Sequence, residues 1–323
     1  MDIQVVHGDA LETAADVLVL KHAQATYGVD DHVVHLLDGT IGAVRSVLPK
    51  PGAFRLFETK GHLAARMVLF VGVVELRLFQ YEAIREFARA ALAELASTKP
   101  AVVHVAFTLH GTGYGLDESE AFRAELAGIV DAIESEDCPA ALRSVTIVER
   151  DAGRARRLQG LLAEIEPVHL LPGPARRRQP MSQLEPLRTA GAHSRSKPHV
   201  FVAMPFASEF DDHFHYGIQQ AVNTAGFLCE RADLAAFTGD VLVWVKERID
   251  SARLLVADLS TANPNVYLEV GYAWGRGIPT VLLARDSADL KFDVKGQRCL
   301  VYSSIRKLEE LLTRELGQLS SAP

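Results

Sequence analysis

From His199 onward, short and uninterrupted apolar runs alternate with helical ones, and this alternation constrains the fold more than any other feature. "HVFVAMPF", "FLCERA", "RLLVADL", "PTVLLA" and "RCLVY" are too short for helices. They are also too continuously apolar for strands with one wet face, so each reads as a strand covered on both sides of a parallel sheet. Between them lie "DDHFHYGIQQAVNTAG", "DVLVWVKERIDSA" and "NPNVYLEVGYAWGRGIP", and "SIRKLEELLTRELGQL" closes the chain, all helical in pattern. Strands and helices in this order imply an α/β domain with a flavodoxin-like parallel sheet between two layers of helices.

A less regular alternation precedes it. "IQVVHG", "DVLVLKHA", "RMVLFVGVV", "AVVHVAFTL" and "SVTIVER" read as strands. "FQYEAIREFARAALAELAS", "ESEAFRAELAGIVDAIES" and "AGRARRLQGLLAEI" read as helices, giving a second three-layer α/β domain. The stretch "PGPARRRQPMSQLEPLRTAGAHSRSKP" is rich in Pro, Arg, Ser and Gly and lacks apolar periodicity, as a linker does. The expected organisation is a domain over residues 1–168, a linker over 169–197 and a domain over 198–323, and 323 residues are enough for it.

A net charge of −7 excludes a chain-wide electrostatic nucleic-acid binder. Arg176, Arg177 and Arg178 read as solvated linker residues, so no nucleic-acid partner is expected. Cys138, Cys229 and Cys299 form no CxxC pair, which points to a reducing cytoplasm. "MDIQVVHGDALETAADVLVL" does not read as a signal peptide, and no apolar run is long enough to cross a membrane. His213 and His215, near Asp211 and Asp212, are spaced i,i+2 on different helix faces, so no metal site is expected.

"NPNVYLEVGYAWGRGIP" poses the sharpest question. Asn263 suits the cap, Pro264 the first helical position and Gly277 the end. Val266, Tyr267, Leu268, Val270, Tyr272, Ala273 and Trp274 make the helix apolar on nearly every side, which predicts burial. Trp244 and Trp274 read as core residues. One carboxylate, Glu269, lies in the middle, and an unpaired buried carboxylate is costly. The helix follows "LLVADLS", whose Asp258 ends a strand, at the edge where open α/β sheets bind ligands. Asn265 and Glu269, i,i+4 neighbours, both lean toward that edge. Glu269 is then either a structural anchor paired with an arginine or backbone donors, or a working carboxylate. Pro205 and Phe206, after the first strand of this domain, reach the same edge. Phe206 suits either base stacking or core packing, and Asp240 in "FTGD" either substrate contact or capping, as does Thr238.

The run from His199 to Ala284, above all "ADLSTANPNVYLEVGYA", resembles the bacterial Toll/interleukin-1 receptor (TIR)-like family and the related nucleoside 2-deoxyribosyltransferases. In both families a glutamate early in this helix performs chemistry at a ribose C1′, and the resemblance implies that role for Glu269. It also implies that Asp258 lines the pocket as a second catalytic residue. Pro205, Phe206, Asp240 and Asn265 are the expected substrate contacts. Cleaving an N-glycosidic bond builds positive charge at C1′, which a carboxylate stabilises or captures as a covalent intermediate.

The first domain is similar to macro domains. "VVHGDALETAADVLVL" matches their start, with Asp9 in the place of the adenine-reading aspartate. "YGVDDHVVHLL" resembles the first ligand loop and its helix, with Gly28, Val29 and Asp30. "VVHVAFTLHGTGYGLDESEAFRAELAGIVDAI" resembles the strand, diphosphate loop and next helix, the loop being Gly111, Thr112, Gly113, Tyr114 and Gly115. "SVTIVERDAGRARRLQGLLAE" resembles the last strand and helix. The resemblance implies a mixed sheet and an ADP-ribose-type ligand. Where hydrolytic macro domains carry Asn-Ala-Asn, this sequence reads "VLKHAQA", so a binder is expected, not a hydrolase. The N-terminal domain of leucyl aminopeptidases shares the topology without that ligand, which leaves a structural module open.

Together the resemblances imply a cytoplasmic NAD glycohydrolase held in check by a nucleotide-binding domain, as in bacterial antiphage or stress effectors. It would use no cofactor beyond NAD as substrate and would work as a homo-oligomer. A nucleoside or nucleotide N-glycosidase or deoxyribosyltransferase, and a non-catalytic nucleotide-sensing or assembly module, are the alternatives.

Overall fold

The computed structural model describes residues 1–165, 185–231, 241–291, 294 and 296–320. Arg176, Arg177, Arg178, Thr238 and Asp240 lie outside the described residues. The chain folds as two compact units, one of Met1–Thr112 with Glu118–Arg195, the other of Gly113–Asp117 with Ser196–Pro323.

The first unit is built on a six-stranded sheet. Its strands are β1 (Asp2–His7), β2 (Val17–His22), β3 (Phe54–Glu58), β4 (Met67–Gly72), β5 (His104–Thr108) and β6 (Ser144–Glu149), in the order β1-β6-β5-β2-β4-β3. All neighbours run parallel except β3 and β4, so the sheet is mixed. The sequence reading lacks β3. "FRLFE" carries an arginine and a glutamate and is only half-buried, as suits an edge strand. The helices are α1 (Val29–Ile41), α2 (Tyr81–Thr98), α3 (Glu118–Glu134), α4 (Ala152–Ile165) and the short α5 (Glu185–Thr189). α5 belongs to a stretch of the expected linker that packs within this unit, with Leu187 and Ala190 buried. Arg85 fixes it, bonding Asp131 through two N–H groups and the carbonyls of Leu187, Arg188 and Ala190 through Nη1.

The second unit has five strands: β7 (His199–Ala203), β8 (Leu228–Glu230), β9 (Leu254–Asp258), β10 (Thr280–Ala284) and β11 (Cys299–Val301). All are parallel, in the order β11-β10-β9-β7-β8. Counted within the unit this is the flavodoxin-like order 2-1-3-4-5, whose switch point lies between β7 and β9. Every residue of β7 and β9 is buried, as the continuous apolar runs required.

One face of this sheet is covered by a π-helical turn, His213–Gln219, running into α6 (Gln220–Thr224), and by α9 (Ile305–Ser320). Leu308, Leu312 and Leu316 repeat every four residues and are fully buried there. A Cβ on Gly217 would lie 2.6 Å from Leu308 Cδ2, so a residue without a side chain lets the two helices close. α7 (Val241–Ser251) and α8 (Pro264–Gly275) pack on the opposite face.

α8 has the expected caps: Asn263 Oδ1 accepts from Asn265 N at 2.9 Å and Pro264 opens the helix. The expectation of near-complete burial is corrected. Only Val266, Val270 and Ala273 are buried, while Leu268 is 58% and Trp274 39% exposed. A helix in the outer layer of a sandwich buries one stripe, and the remaining apolar residues face solvent. Trp274 is therefore not a core residue, whereas Trp244 is.

Candidate functional site

The carboxyl edge of β7 and β9 is assembled from several turns. Beyond β7, Met204 and Pro205 are buried while Phe206 is 41% exposed. Beyond β9 the chain makes a tight turn before α8, and Thr261 and Ala262 both adopt left-handed backbone (φ 67° and 49°). Two consecutive non-glycine residues in this region cost about 1–2 kcal/mol each, so the surroundings must hold the turn in place.

Asp258 is central to that hold. It is fully buried, with Oδ1 accepting from Ser260 N at 2.9 Å and Oδ2 from the Tyr302 hydroxyl at 2.6 Å. Burial and the Asp258 charge push the Tyr302 phenol up, so it stays protonated and keeps donating. Ser260 Oγ in turn accepts from Arg285 N at 2.9 Å, tying the turn to the end of β10. Both oxygens of Asp258 are thus engaged with the protein itself.

Glu269 is different. It is half-buried, one step round the helix from the stripe of Val266, Val270 and Ala273. It shares that flank with Asn265, which is exposed, and with Tyr272 and Arg276, which both bond Asp250 of α7. Among the described residues Glu269 has no hydrogen-bond or ion-pair partner, and burial alone pushes its carboxyl up to about 7. Every fully buried carboxylate of the described chain has a donor instead. Asp30 has Lys21, Asp117 has Cys229 N and Asn223, Glu118 has Arg154 and Arg157, and Glu120 has Ser194. Glu125 has His110 N, Glu149 has Asp151 N and Arg154, Glu230 has Arg248, and Asp258 has Tyr302 and Ser260 N. An anchor paired with arginine or backbone donors is not what Glu269 is within this set.

Arg231 and Arg285, residues that a strand-end search would have flagged, also occupy this edge. Arg231 immediately follows β8, and its guanidinium carbon lies 4.1 Å from the Phe214 ring centroid and 5.6 Å from that of Phe206. Arg285 immediately follows β10 and lies 4.2 Å over Phe210. The His213 ring meets those of Phe210 and Tyr302 at tilts of 55° and 49°, and His215 Nδ1 pairs with Gln219 Oε1. Among the described residues no group of three or more His, Cys, Asp or Glu side chains is placed to hold a metal ion.

In the first unit, Asp9 is half-buried in a local turn, with Oδ1 accepting from Leu11 N at 2.9 Å. Gly28 immediately precedes α1 and Val29 begins it. Asp30, in the first turn of α1, is locked in a buried ion pair with Lys21 of β2, the strand that carries "VLKHAQA". Burial pushes Asp30 up against the pull of that ammonium. His110, just beyond β5, is buried against Phe87 and its imidazole is held well below its ordinary range by burial and by Lys21. Burial raises Glu125 to about 8, so at neutral pH it carries its proton.

Gly111 and Thr112 belong to the first unit, and Gly113, Tyr114 and Gly115 to the second. Gly115 has φ +97°, and a Cβ there would lie 2.6 Å from Trp244 Cη2 and 2.8 Å from Arg231 O. Its carbonyl accepts from Arg231 N at 3.2 Å. A packing requirement within the second unit therefore accounts for this glycine.

The chain matches no protein-family model, and no curated protein matches it. Solved structures similar to about half of it are macrodomains. A Trypanosoma brucei macrodomain in complex with ADP is 18% identical, with 50% of this chain and 69% of that one covered at a TM-score of 0.41. A variant of an Oceanobacillus iheyensis macrodomain with ADPR is 20% identical, covering 49% and 90% at 0.38. The macro domain of ganglioside induced differentiation associated protein 2 is 16% identical, covering 50% and 83% at 0.39.

Proposed function

We propose that the second unit is a TIR-like N-glycosidase that cleaves the nicotinamide–ribose bond of NAD, with Glu269 as its working carboxylate. The observation that carries this reading is a carboxylate with no partner among the described residues, raised to about 7 by burial alone, on the helix that follows the switch-point strand β9. In NAD the leaving nicotinamide is a cationic pyridinium. When the C1′–N bond breaks, its electron pair neutralises that ring, so no general acid is needed. Positive charge then develops at C1′, where an ionised Glu269 stabilises or captures it. Water completes the step, giving an ADP-ribose product and a proton. Asp258, with both oxygens engaged by Ser260 and Tyr302, holds the turn that delivers α8.

The first unit, on this reading, binds an ADP-ribose-type nucleotide near Asp9, Gly28, Val29 and Gly111 and governs the activity of the second. The departure at "VLKHAQA", where Lys21 occupies Asp30, favours binding over hydrolysis there. A defence or stress role in bacteria suits a toxic activity under nucleotide control.

The test is nicotinamide release from NAD by the full-length protein, with products followed by mass spectrometry and Glu269→Gln as the control. Equal turnover in that variant would remove Glu269 from the chemistry. Base release from deoxynucleosides without nicotinamide release would move the reading to a deoxyribosyltransferase-type reaction. Binding of ADP-ribose with no turnover of any substrate would leave a sensing module.

A further inference from the structure

We infer that Arg231 and Arg285 clamp the phosphates of a diphosphate-bearing nucleotide across the carboxyl edge of the second unit. This rests on the reading of Glu269 given above and narrows its preferred substrate to a dinucleotide, whose diphosphate adds affinity that a free nucleoside lacks.

The placement follows from topology. β8 and β10 lie on either side of the β7–β9 pair, so the residues that end them flank the switch point. Arg231 follows β8 and Arg285 follows β10, both at the carboxyl edge. Each guanidinium rests on an aromatic ring of the segment that follows β7: Arg285 over Phe210, Arg231 over Phe214. The two rings are four residues apart, about one helical turn, so one short segment sets both cations. Stacking on a ring fixes the plane of a guanidinium, and the N–H edge of that plane matches the oxygens of a phosphate.

Besides the Phe210 ring, Arg285 has a side-chain hydrogen bond with Tyr302, and its contacts with Glu209 are long. Nη1 is 3.5 Å from a Glu209 carboxylate oxygen and Nη2 is 3.4 Å from the Glu209 carbonyl. The Glu209 side chain is mostly exposed, and pairs of this kind contribute about 0–1 kcal/mol, so a phosphate can displace it. Glu209, Asp211 and Asp212 are all exposed on the same segment and keep the edge from attracting anions indiscriminately. Recognition then depends on the geometry of two forks, which suits a diphosphate better than a single anion. Phe206, exposed beside Arg231, adds a stacking face for a base at the same edge.

The experiment measures nicotinamide release from NAD and from nicotinamide riboside, which lacks the diphosphate. Full-length wild type is compared with Arg231→Ala, Arg285→Ala and Arg285→Lys, and thermal unfolding checks that each variant is folded. The clamp requires KM for NAD to rise at least tenfold in either alanine variant with kcat nearly unchanged. It also requires kcat/KM for nicotinamide riboside to hold within twofold, and partial recovery in Arg285→Lys. Equal losses on both substrates, or no loss on NAD, overturn it. Should wild type release nicotinamide from neither, the Glu269 reading fails separately. The clamp is then decided by calorimetry with inorganic pyrophosphate, where it requires binding that the Arg231→Ala, Arg285→Ala double variant loses; unchanged binding overturns it.

Discussion

Glu125 of the first unit and Glu269 of the second are both lifted by burial, and the two are housed very differently. Glu125 of the first unit is 0% exposed, accepts from His110 N at 3.4 Å, feels the Lys21 ammonium and rises to about 8. Glu269 of the second is only half-buried, has no partner among the described residues and rises to about 7. Titration behaviour alone would rank Glu125 first. Surroundings reverse the ranking: Glu125 sits in a sealed polar knot with Lys21, Asp30 and His110, whereas Glu269 lies half-buried on the flank of α8, the helix that follows β9. A perturbed carboxylate therefore points to chemistry only when its partners and its access to substrate are considered with it.

The largest effect expected from this contrast is catalytic. Glu269→Gln should lower nicotinamide release about 1,000-fold, the scale of losing a group aimed at transition-state charge, while Glu125→Gln should leave it within a few-fold. Turnover measured for the two variants side by side checks this; a larger loss at Glu125 would break the comparison. Next in size is the sealed knot itself. Lys21→Met leaves Asp30 buried without its cation and should cost about 3–5 kcal/mol in urea unfolding. A cost under about 1 kcal/mol would mean the pair is not a structural lock.

The pH dependence separates the two groups more finely. On the proposed reading the rate needs ionised Glu269, so kcat/KM for NAD should rise about tenfold per pH unit below about 7 and level off above it. Glu125→Gln should not move that limb. Tyr302→Phe takes one donor from buried Asp258 and should cost about 1–3 kcal/mol in unfolding free energy. The smallest effect concerns Glu269 and stability. Its folded value lies above the ordinary 4.5, so the folded chain holds a proton that the unfolded chain releases between about 4.5 and 7. Stability is therefore lost as pH rises through that window. Glu269→Gln should stabilise the protein by about 1–2 kcal/mol at pH 8, allowing for solvent contact, and by nothing near pH 4.

What could be read in advance was local. The caps of α8 stand in "NPN", the bounds of α4 in "AGRARRLQGLLAEI", and the flavodoxin-like order follows from strands too apolar for a wet face. What could not be read joins distant residues. Tyr302 reaches Asp258 across 44 positions and Cys229 N reaches Asp117 across 112, and no periodicity announces either bond. Glu269 was legible as a misplaced charge, but its lack of a partner among the described residues depends on where the other donors went. The glycines of "GTGYG" read as a phosphate loop, while at Gly115 the neighbours that exclude a side chain are Trp244 and Arg231. β3 escaped because an edge strand needs little apolar signal to pair on one side.

The membership of Gly113–Asp117 in the second unit bears on how such a protein can be inherited. These residues are encoded within the stretch that specifies the first unit, yet Asp117 supplies the carboxylate bonded to Cys229 N and the Asn223 amide. A gene fragment beginning at Ser196 would specify the five-stranded sheet without that acceptor. Recombination that exchanged the second unit alone would leave Cys229 N and Asn223 seeking another. Sequence drift in this short segment is thus answerable to Cys229 and Asn223, more than 100 positions further along the chain.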